Sequence, residues 1–150
     1  MTKGTLPDMT KLDPKDPIIE LRVAITTSDY ERLVKFYCDG LALEPAEFWH
    51  NDQGRALILN MGNATLEIFD ETQAQTIDQI EAGQRISGQI RFALQVPDLK
   101  AAMERLLAHG VTLVHSPIVT PWGDYNVRVQ DPDGMQITLF QKPDKEEQGI

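Results

Sequence analysis

Arg22 and Arg91 stand at matched places in an internal repeat, and they carry the most suggestive chemistry in this chain. A guanidinium is charged at every accessible pH and grips carboxylate or phosphate through two parallel hydrogen bonds. The pair either solvates an exposed sheet face beside nearby acids or binds an anion in a shared cavity. Arg128 shares a strand face with Asn126 and Gln130, as a cavity wall or as half of a cross-strand salt bridge. Trp49, Trp122 and Tyr125 fall at strand ends, where such rings cover an apolar ligand or serve as core, rim or dimer contacts. His50 and His115 are the candidates for proton transfer near neutral pH, each with a structural role as its alternative. His109 closes a helix and should meet its last carbonyls. Cys38, near a helix C-terminus, should be an ordinary thiol with a raised pKa. Asp131 and Asp133 resemble a catalytic pair only until Asp131-Pro132-Asp133-Gly134 is read as a turn.

Several chemistries are excluded. The sequence has no GxSxG, no GxGxxG and no Walker loop, so serine hydrolase and nucleotide-binding readings gain no support. One cysteine can form neither an internal disulfide nor a thiolate zinc site. A formal net charge of −9 repels phosphate backbones and anionic lipid. No apolar run reaches the roughly 18 residues that span a bilayer. The N-terminus lacks the apolar stretch of a secretory signal. The expectation is a cytoplasmic protein with no nucleic-acid or membrane partner, of one domain's length at 150 residues.

The elements that must position these residues come in two copies. ELRVAITTSDYE at 20–31 matches QIRFALQVPDLK at 89–100 with an offset of 69, pairing Arg22 with Arg91 and Val23 with Phe92. Leu66-Glu67-Ile68-Phe69 matches Ile137-Thr138-Leu139-Phe140 at an offset of 71. Each copy opens on a strand in which apolar residues alternate with polar or small ones. A helix follows. In the first copy Ser28 and Glu31 form a capping box ahead of a stripe of Tyr30, Leu33, Val34, Tyr37 and Leu41. In the second, Asp98 is the N-cap, Leu99, Met103, Leu106 and Leu107 form the stripe, and Gly110 ends it. Three more strands are expected in each copy, near 46–51, 55–61 and 64–70, then near 111–116, 124–130 and 135–141. A polar helix over 71–82 links the copies. Residues 1–17 read as a flexible arm and 142–150 as a polar tail.

This order resembles the vicinal oxygen chelate superfamily, which includes glyoxalase I, extradiol dioxygenases and bleomycin-resistance proteins. The motifs are VAITTSDYERLVKFYCDGLAL, ATLEIFD, FALQVPDLKAAMERLLAHGV and TPWGDYNVRVQDPDGMQITLFQ. The resemblance implies an α+β domain over 18–141 made of two βαβββ modules, 18–70 and 88–141, with a linker at 71–87. The modules would form one curved mixed sheet with helices on its outer face and a ligand cavity on its inner face. It also implies a homodimer.

Metal-holding members take ligands from four positions, which fall here on Arg22, Glu67, Arg91 and Thr138. Only Glu67 is a good ligand, since guanidinium offers no lone pair and a hydroxyl is weak. Gln89 is the nearest substitute, at the cost of breaking the repeat alignment. No metal or other cofactor is expected. In a cavity Glu67 would neutralise one arginine, leaving the other to Glu20, solvent or an anionic ligand. The acidic whole would suit a cation, but short-range charges outweigh distant, screened ones.

The first expectation is therefore a metal-independent binder of a small, possibly anionic molecule. Its contacts would be Arg22, Arg91, Glu67 and Thr138, with Arg128, Gln89, His115 and Trp122 nearby. An atypical lyase, isomerase or dioxygenase is the alternative, with Glu67 as the base or retained ligand and Gln89 or His115 assisting. A non-catalytic assembly subunit is the third.

Overall fold

The computed structural model describes residues 17–40, 42–131 and 133–144. The expected N-terminal arm through residue 16, the tail from residue 145, Leu41 of the first stripe and Pro132 of the turn lie outside the described residues. Among the described residues the fold is α+β, an eight-stranded curved sheet with three α-helices. The first half supplies β1 (Leu21–Thr27), α1 (Tyr30–Lys35), β2 (Pro45–Asn51), β3 (Gly54–Asn60) and β4 (Ala64–Asp70). Helix α2 (Glu71–Ala82) follows, and then β5 (Ile90–Gln95), α3 (Leu99–Ala108), β6 (Ile118–Val119), β7 (Tyr125–Gln130) and β8 (Gln136–Gln141). Strand order across the sheet is β2-β3-β4-β1-β5-β8-β7-β6.

The repeat explains the middle of the sheet. β1 and β5 pair antiparallel with Val23 opposite Phe92, the same residues that the offset of 69 superimposes. A local twofold therefore passes between them. One step to either side, Arg22 sits opposite Ala93 and Ala24 opposite Arg91, so both arginines share the concave face. Residues alternate faces along a strand. Glu67 pairs with Ala24 and Thr138 with Ala93, which puts all four mapped positions on that face around two small alanines.

Two apolar clusters lie on the convex face. Leu57, Leu59 and Ile68 pack under Tyr30, Leu33, Val34 and Tyr37 of α1 and its π-helical continuation, Phe36–Gly40. Val127, Val129 and Leu139 pack under Leu99, Ala102, Met103 and Leu106 of α3. Leu107 lies at the margin of that stripe and is exposed. Asp98 caps α3 as expected, accepting from the Ala101 amide at 3.1 Å, and Gly110 leaves the helix with φ of 80°. The first cap falls one residue later than the expected Ser28. The Asp29 amide is held by Thr27 Oγ1, and Asp29 Oδ1 accepts from the Arg32 amide at 3.4 Å.

Two expectations need correction. The segment 111–116 does not form a strand. Its first amide, Val111, bonds back to Leu106, Leu113 makes only an isolated bridge to Val129, and Pro117 interrupts the run. The sheet edge is instead the two-residue β6. The larger correction concerns α2, which packs on the concave face, where Ile77 joins Ala24, Ala56 and Phe69. Glycine at position 54 permits this. A Cβ there would stand 2.3 Å from the Gln73 amide nitrogen, and φ is 126°. Asp70 caps α2 through the Gln73 amide at 2.8 Å. Burial pushes the Asp70 carboxyl up, but that bond and Arg55 hold it below its usual value.

Candidate functional site

Helix α2 divides the concave face into a sealed part and an open part. In the sealed part Arg128 is 0% exposed, with Nη1 on Asp78 Oδ1 at 3.0 Å and Nη2 on Glu81 Oε2 at 3.1 Å. Its Nε donates to Thr138 Oγ1 at 3.1 Å, and Ser87 and Gln136 accept further bonds. Every hydrogen-bonding arm of the guanidinium is thus engaged. Asp78 also accepts from the Ser87 hydroxyl and from the Ile86 and Ser87 amides. Burial opposes its ionisation, but the Ser87 and Ile86 bonds and the Arg128 charge hold its carboxyl at about 2. Arg128 belongs to this structural network and does not line the cavity, and its carboxylate partners come from α2 rather than from a neighbouring strand.

In the open part lies a cavity of about 370 Å³ between α2 and the sheet. Arg22, Glu67, Arg91, Thr138 and Trp122 all line it. Gln89 does not. It is exposed beside the turn at Asp131, on a separate shallow depression. His115 also lies elsewhere, its Nδ1 donating to the Ser116 carbonyl at 2.7 Å. His50 faces the convex side opposite Arg55, and His109 Nδ1 donates to the Arg105 carbonyl at 2.9 Å, as its place predicts. Trp49 lines the cavity, whereas Tyr125 packs into the convex cluster. Asp131 closes its turn by accepting from the Asp133 and Met135 amides. Burial, then Asp39, raises the Cys38 thiol, which packs beneath α1.

The local twofold reappears in the cavity's aromatic contacts. Arg22 from the first half stacks over Phe140 of the second at 4.3 Å, and Arg91 from the second half stacks over Phe69 of the first at 5.4 Å. The two arginines then differ. Arg22 pairs with Glu20, which Lys142 also approaches at 3.9 Å. Arg91 is 9% exposed and, among the described residues, has no carboxylate within ion-pair distance and no hydrogen-bond acceptor. Its countercharge is Glu67, across Ala24. Burial pushes the Glu67 carboxyl above its usual range, Arg91 and Arg22 pull it back, and Glu81 and Glu20 raise it again. No donor among the described residues hydrogen-bonds to it.

Residues that sequence reasoning missed come chiefly from α2 and from the β6–β7 connection. Glu81 accepts from Asn126 Nδ2 at 2.9 Å and from Thr138 Oγ1 at 3.2 Å. Asp124 is buried and accepts from Trp122 Nε1 at 3.1 Å, its carboxyl raised by burial against the pull of Arg22 and that bond. Asn126 Oδ1 and Gln73 Oε1, both buried in cavity-lining residues, have no donor among the described residues. The alternation of β7 marks Asn126, but nothing local marks Glu81, which looks like an ordinary solvent-facing helix residue.

A divalent metal does not fit the four mapped positions. Two are guanidiniums that repel it, and the Thr138 hydroxyl is committed to Glu81 and Arg128. Among the described residues, no group of three or more His, Cys, Asp or Glu side chains is arranged to hold one.

This duplicated sheet with a concave cavity defines the class, and the sequence agrees. The chain belongs to the Glyoxalase/Bleomycin resistance protein/Dioxygenase superfamily, matched over residues 21–139. Methylmalonyl-CoA epimerase from Mycobacterium tuberculosis superposes with a TM-score of 0.66 at 21% identity, over 95% of this chain and 100% of that one. Hypothetical protein BH1468 from Bacillus halodurans C-125 gives 0.64 at 15% identity, over 87% and 96%. A superfamily member from Vibrio splendidus 12B01 gives 0.57 at 14% identity, over 82% and 98%. At these identities the likeness establishes the fold. No curated protein matches the sequence. Among the described residues, no helix is long and apolar enough to cross a membrane.

Proposed function

We propose that the protein binds a small organic anion in the concave cavity, with Arg91 as the anion's partner and no metal taking part. The observation that carries this is Arg91, 9% exposed, which stacks on Phe69 and, among the described residues, has no hydrogen-bond acceptor and no carboxylate within ion-pair distance. A buried charge with no directly paired carboxylate is costly, and an anionic ligand offsets that cost. The walls favour a flat apolar body, since Trp49, Phe69, Phe140 and Trp122 all face the cavity. The volume sits at the small end of ligand pockets, about 300–1,000 Å³. The proposal includes a homodimer working in the cytoplasm, and light scattering on the eluting protein checks its mass.

Both tryptophans of the chain line the cavity, so intrinsic fluorescence reports its occupancy. Titration with phenylacetate and with its neutral amide, phenylacetamide, tests the anion. The acid should bind at least about tenfold more tightly, and Arg91→Met should erase the difference. Equal binding of acid and amide by the wild type would overturn the proposal.

Glu67 favours a second reading, an isomerase-like proton transfer. A carboxyl raised by burial and open to a cavity is suited to exchange a proton with a bound acid. Similarity to the methylmalonyl-CoA epimerases supports this reading at the level of fold. Deuterium incorporation beside the carbonyl of small keto acids and thioesters, lost in Glu67→Gln, is its expected signature. No incorporation across that panel would sink it.

A further inference from the structure

Arg22 and Arg91 hold equivalent places in the repeat but do not have equivalent neighbours. Arg22 reaches from β1 over Phe140 of β8, and Arg91 reaches from β5 over Phe69 of β4. The two guanidiniums therefore lie over different strands of the cavity floor. Two residues before Arg22, on the same face of the chain, stands Glu20, whose Oε1 accepts from Arg22 Nε. At the offset of 69 the counterpart of Glu20 is Gln89. The backbone keeps the twofold here. The Glu20 carbonyl accepts from the Gln95 amide, and the Gln89 carbonyl accepts from the Thr26 amide.

The side chains break it. Gln89 is exposed beside the turn at Asp131 and Gly134 and, among the described residues, makes no contact with Arg91. The supporting cation differs as well. Lys142 stands 3.9 Å from Glu20 Oε2, whereas its counterpart at the offset of 71 is Glu71, which pairs with Arg85. A guanidinium stacked on a ring still presents its N–H groups in its own plane, where carboxylates bind. At Arg22 the chain's own carboxylate takes that place. Asp124 is the other acid that feels the Arg22 charge, but it is held by Trp122 Nε1 at 3.1 Å and makes no ion pair with Arg22.

From this we infer that Glu20 is an internal mimic of the ligand, closing a twin of the Arg91 site, and that the ligand's acidic group is a carboxylate seated at Arg91 as Glu20 is seated at Arg22. The inference rests on the anion-binding reading above and adds a latent second carboxylate site at Arg22. One substitution in either half exchanges the two states. Glu20→Gln opens the Arg22 site, and Gln89→Glu supplies Arg91 with a carboxylate of its own. A group tethered this closely acts at an effective concentration of about millimolar or more, which a weak ligand must match to displace it.

Calorimetric titration with phenylacetate counts the sites. The wild type should bind one phenylacetate per chain and Glu20→Gln two, the second within about tenfold of the first in affinity. Adding Arg22→Met to Glu20→Gln should return the count to one, which ties the second site to that guanidinium. Circular dichroism confirms that each variant is folded. Gln89→Glu should weaken phenylacetate binding at least about threefold, and it carries the test alone should Glu20→Gln fail to fold. One phenylacetate per chain in folded Glu20→Gln, or a second that survives Arg22→Met, overturns the twin site and leaves the Arg91 reading standing. Unchanged affinity in Gln89→Glu does the same. No binding by the wild type overturns the Arg91 reading instead. A single phenylacetate bound by Glu20→Gln would then keep the Arg22 site, and none would overturn both.

Discussion

Arg128 and Arg91 are two buried arginines on one face of one sheet, and they are treated in opposite ways. Around Arg128 the chain supplies two carboxylates, a threonine and a serine hydroxyl and a glutamine carbonyl. Around Arg91 it supplies the face of Phe69 and a carboxyl one strand further away. A buried ion whose valences are met inside the protein is part of the architecture. One whose valences are left open is the feature on which the proposed anion site rests. The difference is made by α2, whose Asp78 and Glu81 reach Arg128 and stop short of Arg91.

The largest expected effect breaks the first of these environments. Arg128→Met leaves Asp78 and Glu81 without their cation and should cost about 3–5 kcal/mol in urea unfolding. Adding Glu81→Gln should recover part of that loss, because it removes one stranded charge. A loss below about 1 kcal/mol for Arg128→Met would remove the contrast altogether. The matching change at the other site, Arg91→Met, should leave stability within about 1 kcal/mol of wild type or raise it. It should also abolish the preference for phenylacetate over phenylacetamide. A large destabilisation would mean that Arg91 is architectural as well.

The smallest effects lie in the pH dependence, where the two environments have opposite signs. Asp78 is held at about 2 in the fold, against an ordinary 3.8. Its contribution is therefore complete above about pH 4 and disappears as pH falls through 2. Glu67 is raised. Its contribution is complete below its ordinary 4.5 and is lost as pH rises through the folded value. Glu67→Gln should consequently stabilise the protein at pH 8 relative to wild type, with the gain vanishing at pH 4. Thermal melts at both values check this, and a destabilised Glu67→Gln at pH 8 would show that the carboxylate is wanted as an anion.

The sheet was legible in the sequence because its cause is local and repeated. Alternation marked β1 and β5, and the matched places of Arg22 and Arg91 in the repeat pointed both toward one cavity, whereas the antiparallel pairing of the two strands came only with the structure. The position of α2 was not legible. Among its buried residues are Gln73, Asp78 and Glu81, which in any short window mark a solvated helix. Asp78 and Glu81 are buried because their partners, Arg128, Asn126 and Thr138, arrive some 45–57 residues later in the chain, and Gln73 is buried against Gly54. The run at 111–116 misled for the opposite reason: it has the apolar content of a strand, but its hydrogen bonds go to the end of α3 and to a single bridge. Glu67 and Thr138 were reached through the family's four ligand positions and line the cavity, whereas Gln89, chosen as the nearest substitute ligand, and His115, chosen for its residue type, lie outside it.

The departure of α2 from the local twofold has a stereochemical consequence. A bowl built from two equivalent halves would accept a ligand in either of two orientations related by a half-turn, a degeneracy worth about RT ln 2, or about 0.4 kcal/mol, in favour of binding. By sealing the Arg128 side and leaving Arg91 open, the helix forgoes that small entropic gain and gives the cavity a head and a tail. A substituent on one face of the guest then always meets the same wall, which is the condition for telling mirror-image ligands apart.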